Sequence, residues 1–173
     1  MLRAALLTLL VTVLVPASAA AGTPLPGAGA VAAPGALWTA PLGAPLQVTR
    51  PFAAPAGRYG AGHRGVDLAG TPGEPVLAAG DGVVVFAGMV AGRPVVSVQH
   101  ADGLRTTYEP VTPSVGAGQP VARGSPIGVL LADHPGCPAA ACLHWGLRRG
   151  ETYLDPMLLL LPPRIRLLPW PRR

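Results

Sequence analysis

Between Leu46 and about Leu161 the apolar positions come in short runs, and Gly, Pro or Asp closes nearly every one. Pro75-Val76-Leu77-Ala78-Ala79 leads into Gly80-Asp81-Gly82, and Val83-Val84-Val85-Phe86-Ala87-Gly88 follows. Arg93-Pro94 precedes Val95-Val96-Ser97-Val98-Gln99-His100, and Asp102-Gly103 is a strong hairpin signal before Leu104-Arg105-Thr106-Thr107-Tyr108. Val121 to Leu130, punctuated at Gly124-Ser125-Pro126, completes the set. Strands this short and this closely spaced predict an all-β fold, a sandwich or barrel, as one domain over residues 46–161. No stretch carries a helical period, and no solenoid repeat is present. The closing run Met157-Leu158-Leu159-Leu160-Leu161 is expected to pack as a last element or short helical turn, being far too short to span a bilayer.

The flanks read differently. Arg3, an apolar run over residues 4–15, Pro16 and the small-residue pattern Ala17-Ser18-Ala19 form a secretory signal peptide, placed at residues 1–21. Residues 22–45 are Ala/Gly/Pro-rich without apolar period and read as a linker, with Trp38 as their one bulky side chain. Residues 162–173 form an Arg/Pro-rich tail. An exported protein of the cell envelope or its surroundings is expected.

The chain has a formal charge of +5 and no lysine, so arginine supplies every basic charge outside histidine. Much of the excess sits in the tail at Arg164, Arg166, Arg172 and Arg173, where weak contact with an anionic envelope is expected. Aromatic residues do not interleave a basic patch, which argues against nucleic-acid binding. A lipoyl- or biotinyl-type carrier, whose Gly-rich sandwich the stretch from Gly118 to Gly128 evokes, needs a lysine to modify and is excluded. A monomer is expected.

Chemistry enters with Gly62-His63-Arg64-Gly65-Val66-Asp67-Leu68. An imidazole and a carboxylate four residues apart share a face in a strand as in a helix. Both bind zinc well, and a catalytic zinc takes three protein ligands and leaves a position to water. The third candidate is His144, in Cys142-Leu143-His144-Trp145-Gly146 on another strand-like run. Cys137 and Cys142 are the only cysteines. In an exported chain an even count favours a disulfide; the alternative is a Cys142 thiolate as fourth ligand, which would close the site.

The order of these motifs resembles the LytM/lysostaphin-type zinc metallopeptidases, which cut peptides of bacterial peptidoglycan. The resemblance rests on Arg50-Pro51-Phe52, Gly62 to Leu68, Pro75 to Val84, His100 before the hairpin to Thr107-Tyr108, Gly118 to Gly128, and Leu143-His144-Trp145-Gly146-Leu147-Arg148. It covers roughly residues 46–157. It implies zinc on His63, Asp67 and His144, a groove over a β-sheet, and peptidoglycan peptides as substrate. The family pattern also has two further histidines, in Tyr-x-His and His-x-His, where this chain reads Tyr108-Glu109-Pro110 and Cys142-Leu143-His144. The proton-transfer role is therefore open between Glu109, His100 and His134. Strand alternation from the expected position would turn Glu109 to the opposite face; His100 stands at a strand end; His134 lies in a loop and reads as water-facing. The competing function is an envelope module that binds zinc and wall peptide, or regulates a hydrolase, without cleaving.

Overall fold

The computed structural model describes residues 37–57, 59–132 and 134–161. The signal peptide expected at 1–21, the tail 162–173 and most of the 22–45 linker lie outside the described residues. The all-β expectation holds. The strands are β1 (Val48–Arg50), β2 (Gly65–Gly70), β3 (Pro75–Leu77), β4 (Gly82–Val90), β5 (Arg93–Gln99), β6 (Leu104–Glu109), β7 (Val111–Pro113), β8 (Pro120–Val121), β9 (Pro126–Leu130), β10 (Ala141–Arg149) and β11 (Thr152–Leu154). The Leu run folds as a 3-10 helix, Pro156–Leu160, whose first turn is capped by Asp155 accepting from the Met157 N–H at 2.9 Å.

One antiparallel sheet runs β1-β2-β10-β6-β5-β4-β8, with β11 also on β10, and a smaller sheet runs β3-β9-β7. Alternation decides what faces what. In β6, Leu104, Thr106 and Tyr108 are buried, while Arg105, Thr107 and Glu109 face the other way, partly exposed. The neighbouring strands repeat this in register: Trp145 of β10 pairs with both Val66 of β2 and Tyr108 of β6, and His144 pairs with both Asp67 and Glu109. One face of the large sheet thus buries Val66, Leu68, Val96, Val98, Tyr108, Leu143 and Trp145, in one cluster with Val76, Val111, Ile127 and Leu130 of the small sheet. Full burial of such side chains contributes about 1.5–3 kcal/mol each. The opposite face of the large sheet carries the polar chemistry.

Two turns match their sequence. Ala91 (φ 49°) and Gly92 (φ 82°) join β4 to β5 with two left-handed residues, the geometry a tight hairpin requires. Between β5 and β6 a four-residue connection, 100–103, ends in the single left-handed residue Gly103 (φ 77°), at the hairpin that Asp102-Gly103 predicts.

The domain begins earlier than residue 46. The Thr39 N–H donates to the Ala79 carbonyl at 2.8 Å, the Leu77 N–H donates to the Pro41 carbonyl at 2.9 Å, and Leu42 is only 2% exposed. Trp38 packs on the core and sets its ring edge-on to His100 at 4.7 Å. Composition hid this strap because two backbone hydrogen bonds and two apolar side chains hold it, without any periodic pattern.

Candidate metal centre

His63, Asp67 and His144 come from different places and meet at one point. Asp67 lies in β2 and His144 in the adjacent β10, directly opposite in register, so both project from the same face. His63 precedes β2 and is fixed by a two-way backbone bridge to Ala53, with N···O distances of 2.8 and 3.0 Å. The His63 Nδ1–H donates to the Pro51 carbonyl at 2.7 Å, which leaves Nε2 bare and aimed at the other two. His63 Nε2 lies 3.0 Å from Asp67 Oδ1 and 3.0 Å from His144 Nδ1, and His144 Nδ1 lies 2.9 Å from Asp67 Oδ1. Tetrahedral zinc with bonds of about 2.0–2.2 Å sets its ligands about 3.3 Å apart, close to this triangle. Two imidazole nitrogens and one carboxylate oxygen converging so tightly are a donor set that could hold such an ion.

Burial alone would raise the Asp67 carboxyl. The hydrogen bond with His144 and the fields of His134, His63 and His144 outweigh it, and its pKa lies below the ordinary carboxylate value. Gly65 makes room for the arrangement: a Cβ there would meet the Trp145 carbonyl at 2.4 Å and His144 Nε2 at 2.8 Å.

The centre sits in an open groove lined by Arg50, Arg93, Glu109, His134 and Pro135, which continues along the sheet over Ser97, Arg105, Thr107, Arg148 and Tyr153. Glu109 is in this groove, not on the far face. It stands opposite His144 in the β6–β10 register and forms an ion pair with Arg93. His134 also turns inward: its side chain is 11% exposed, with Nε2 3.4 Å from Asp67 Oδ1 and its ring 6.2 Å from that of His144. Its Nδ1–H donates to the Pro135 carbonyl at 3.1 Å, leaving Nε2 as the acceptor. Below it the chain is closed by a disulfide between Cys137 and Cys142, which removes the Cys142 thiolate as a ligand.

His100 is not brought to the groove. It is 5% exposed beneath Trp38, with Nδ1 2.8 Å from the Asp81 carbonyl and Nε2 2.8 Å from Thr106 Oγ1. Thr106 in turn donates to the Tyr108 hydroxyl, as does the Ala79 N–H, both at 2.9 Å. Both ring nitrogens are engaged on the core side of the sheet, which removes His100 from the candidates for proton transfer.

Residues 61–156 match the family model for peptidase family M23. The chain belongs to peptidase family M23. It is 56% identical over 133 residues to the uncharacterized protein Rv2891 of Mycobacterium tuberculosis, covering 75% of this chain and 53% of that one. It is 32% identical over 101 residues to the DD-carboxypeptidase/endopeptidase Mpg of Neisseria meningitidis serogroup B, covering 58% of this chain and 23% of Mpg. Among solved structures it is similar to the antimicrobial peptidase lysostaphin from Staphylococcus simulans, with 28% identity, a TM-score of 0.56, and coverage of 67% of this chain and 50% of that one. The chain spans about half the length of the curated mycobacterial relatives it matches.

Within this M23 domain, two contributors escaped the sequence reading. The Pro51 carbonyl, inside the quoted Arg50-Pro51-Phe52, orients His63. Arg93 reaches Glu109 from the start of β5. A backbone carbonyl leaves no trace in residue type, and Arg93 reaches Glu109 diagonally, two positions off the β5–β6 register.

Proposed function

We propose that this M23 domain is an exported zinc-dependent endopeptidase acting on peptide bonds of bacterial peptidoglycan. The observation that carries the reading is the convergence of His63 Nε2, Asp67 Oδ1 and His144 Nδ1 within 3.0 Å of one another at the floor of an open groove. Zinc held there would polarise a scissile carbonyl and lower the pKa of a bound water toward ~7. His63 contributes Nε2 because its other nitrogen is tied to Pro51, and Asp67 contributes an oxygen of a carboxylate that its imidazole neighbours favour in the ionised form.

The two missing family histidines have substitutes in space. His134 Nε2, 3.4 Å from Asp67 Oδ1, would accept the proton of the attacking water, its Nδ1–H being engaged by the Pro135 carbonyl. Glu109, a carboxylate paired with Arg93 opposite His144, would accept a hydrogen bond from the leaving amine, which would take its proton from the His134 imidazolium. His134 is not one of the three convergent donors, so a zinc held by those three would keep a position for water.

A second reading, a zinc-binding module without cleavage, is favoured by Pro110 and Cys142 in the family's histidine positions. Mass spectrometry of purified peptidoglycan incubated with the zinc-loaded protein separates the two. New muropeptide amines and carboxyls, abolished by chelator, support the peptidase. Stoichiometric zinc with unaltered wall would establish the module instead.

A further inference from the structure

The same face of the sheet that carries the metal centre carries an unusual pair. Arg105 of β6 and Arg148 of β10 are directly opposite in register, two rows from the Glu109–His144 row, with Thr107 opposite Gly146 between them. Like charges placed directly across two strands are destabilising. Burial, and then the Arg148 charge, lower the Arg105 guanidinium from its ordinary pKa. Arg105 has no ion-pair partner among the described residues. Arg105 Nε donates to the neutral Gln99 Oε1 at 3.0 Å, and Arg148 Nη1 donates to the Gly150 carbonyl at 3.5 Å. The exposed Glu151 pairs with Arg148 at 4.0 Å and lines an adjoining hollow with both arginines. The groove's two carboxylates among the described residues are committed elsewhere, Asp67 to the metal centre and Glu109 to Arg93. Ser97 and Thr107, whose hydroxyls are 3.1 Å apart, line the same hollow.

We infer that Arg105 and Arg148 form a subsite that binds a carboxylate of the peptide substrate. This rests on the peptidase reading and adds to it a requirement on the substrate's charge. Two guanidiniums lining one hollow can meet a carboxylate with N–H donors from both, and the anion relieves their mutual repulsion. His144 and Arg148 are four residues apart on one strand, about 13 Å, the reach of roughly three to four residues of extended peptide. The carboxylate is therefore expected about that far from the bond that is cut. A peptide carboxylate is preferred over a free anion because the hollow is continuous with the metal centre, so one bound chain spans both.

The test uses soluble stem peptides released from purified peptidoglycan, with carboxylates either free or converted to carboxamides. Affinity is measured calorimetrically on the zinc-loaded protein, and cleavage is followed separately, so a failure to cleave leaves the subsite measurable. Free carboxylates are expected to bind about tenfold or more tighter than their amides. Arg105→Gln with Arg148→Gln is expected to erase that preference and to raise the thermal midpoint by removing the repulsion. Equal affinity for the two peptide forms would overturn the inference. So would a preference that survives the double variant, or a lowered midpoint, which would assign the pair to the fold. Binding of inorganic phosphate with no advantage for the carboxylate peptides would also overturn it.

Discussion

At the scale of single residues, the centre depends on which nitrogen of each imidazole is left bare. His134→Gln keeps a polar group but loses a basic nitrogen, and kcat is expected to fall about 10²–10⁴-fold with bound zinc unchanged. Parallel metal analysis and steady-state kinetics check this, and zinc lost along with activity would make His134 a ligand instead. Gly65→Ala is expected to cost about 1–3 kcal/mol and to weaken zinc binding, because its Cβ would press on the Trp145 carbonyl and the His144 ring. Denaturant unfolding with and without zinc reads both effects. The sequence groups His63 with Asp67 by their spacing of four, a shared face only within one regular element; the structure sets His63 ahead of β2, carried to Asp67 by its bridge to Ala53. His134 was not legible in the sequence, because its direction is set by a loop closed by Cys137–Cys142 and by the Leu131 N–H on the Pro110 carbonyl at 3.1 Å. Counting from Tyr108-x-His turns Glu109 to the opposite face unless Pro110 turns the strand back, whereas the β6–β10 register sets it against His144.

At the scale of elements, the strands and the Asp102-Gly103 hairpin followed from alternation and turn chemistry, but the strap before β1 did not. Leu42→Ala is expected to destabilise the domain by about 2–5 kcal/mol, as for a core leucine, although the sequence places it in a linker. Chemical denaturation decides; a change under about 0.5 kcal/mol would mean that the strap is dispensable. His100 ties this strap to β4 and β6, and burial holds its pKa below the ordinary value of 6.5 against the opposing pull of the Asp81 carbonyl, Asp102 and Asp81. The unfolded chain takes up the proton first, so stability falls as pH drops through the unfolded value and levels off below the folded one. His100→Gln is expected to flatten the fall in thermal midpoint between about pH 7.5 and pH 5. An identical fall in the variant would remove His100 as its source.

At the scale of the whole molecule, one sheet does two jobs on its two faces. Trp145, Tyr108 and Val66 build the core below, while His144, Glu109 and Asp67, one residue along each strand, build the groove above. Replacement of Glu109, on the upper face, is therefore expected to alter cleavage with little change in stability. The most direct measurement is muropeptide release from purified peptidoglycan by metal-free protein titrated with zinc, alongside His63→Ala. Activity that rises to a plateau at one equivalent of zinc, and never appears in the variant, is the expected result. Release that is independent of zinc, or absent at full zinc occupancy, would contradict it.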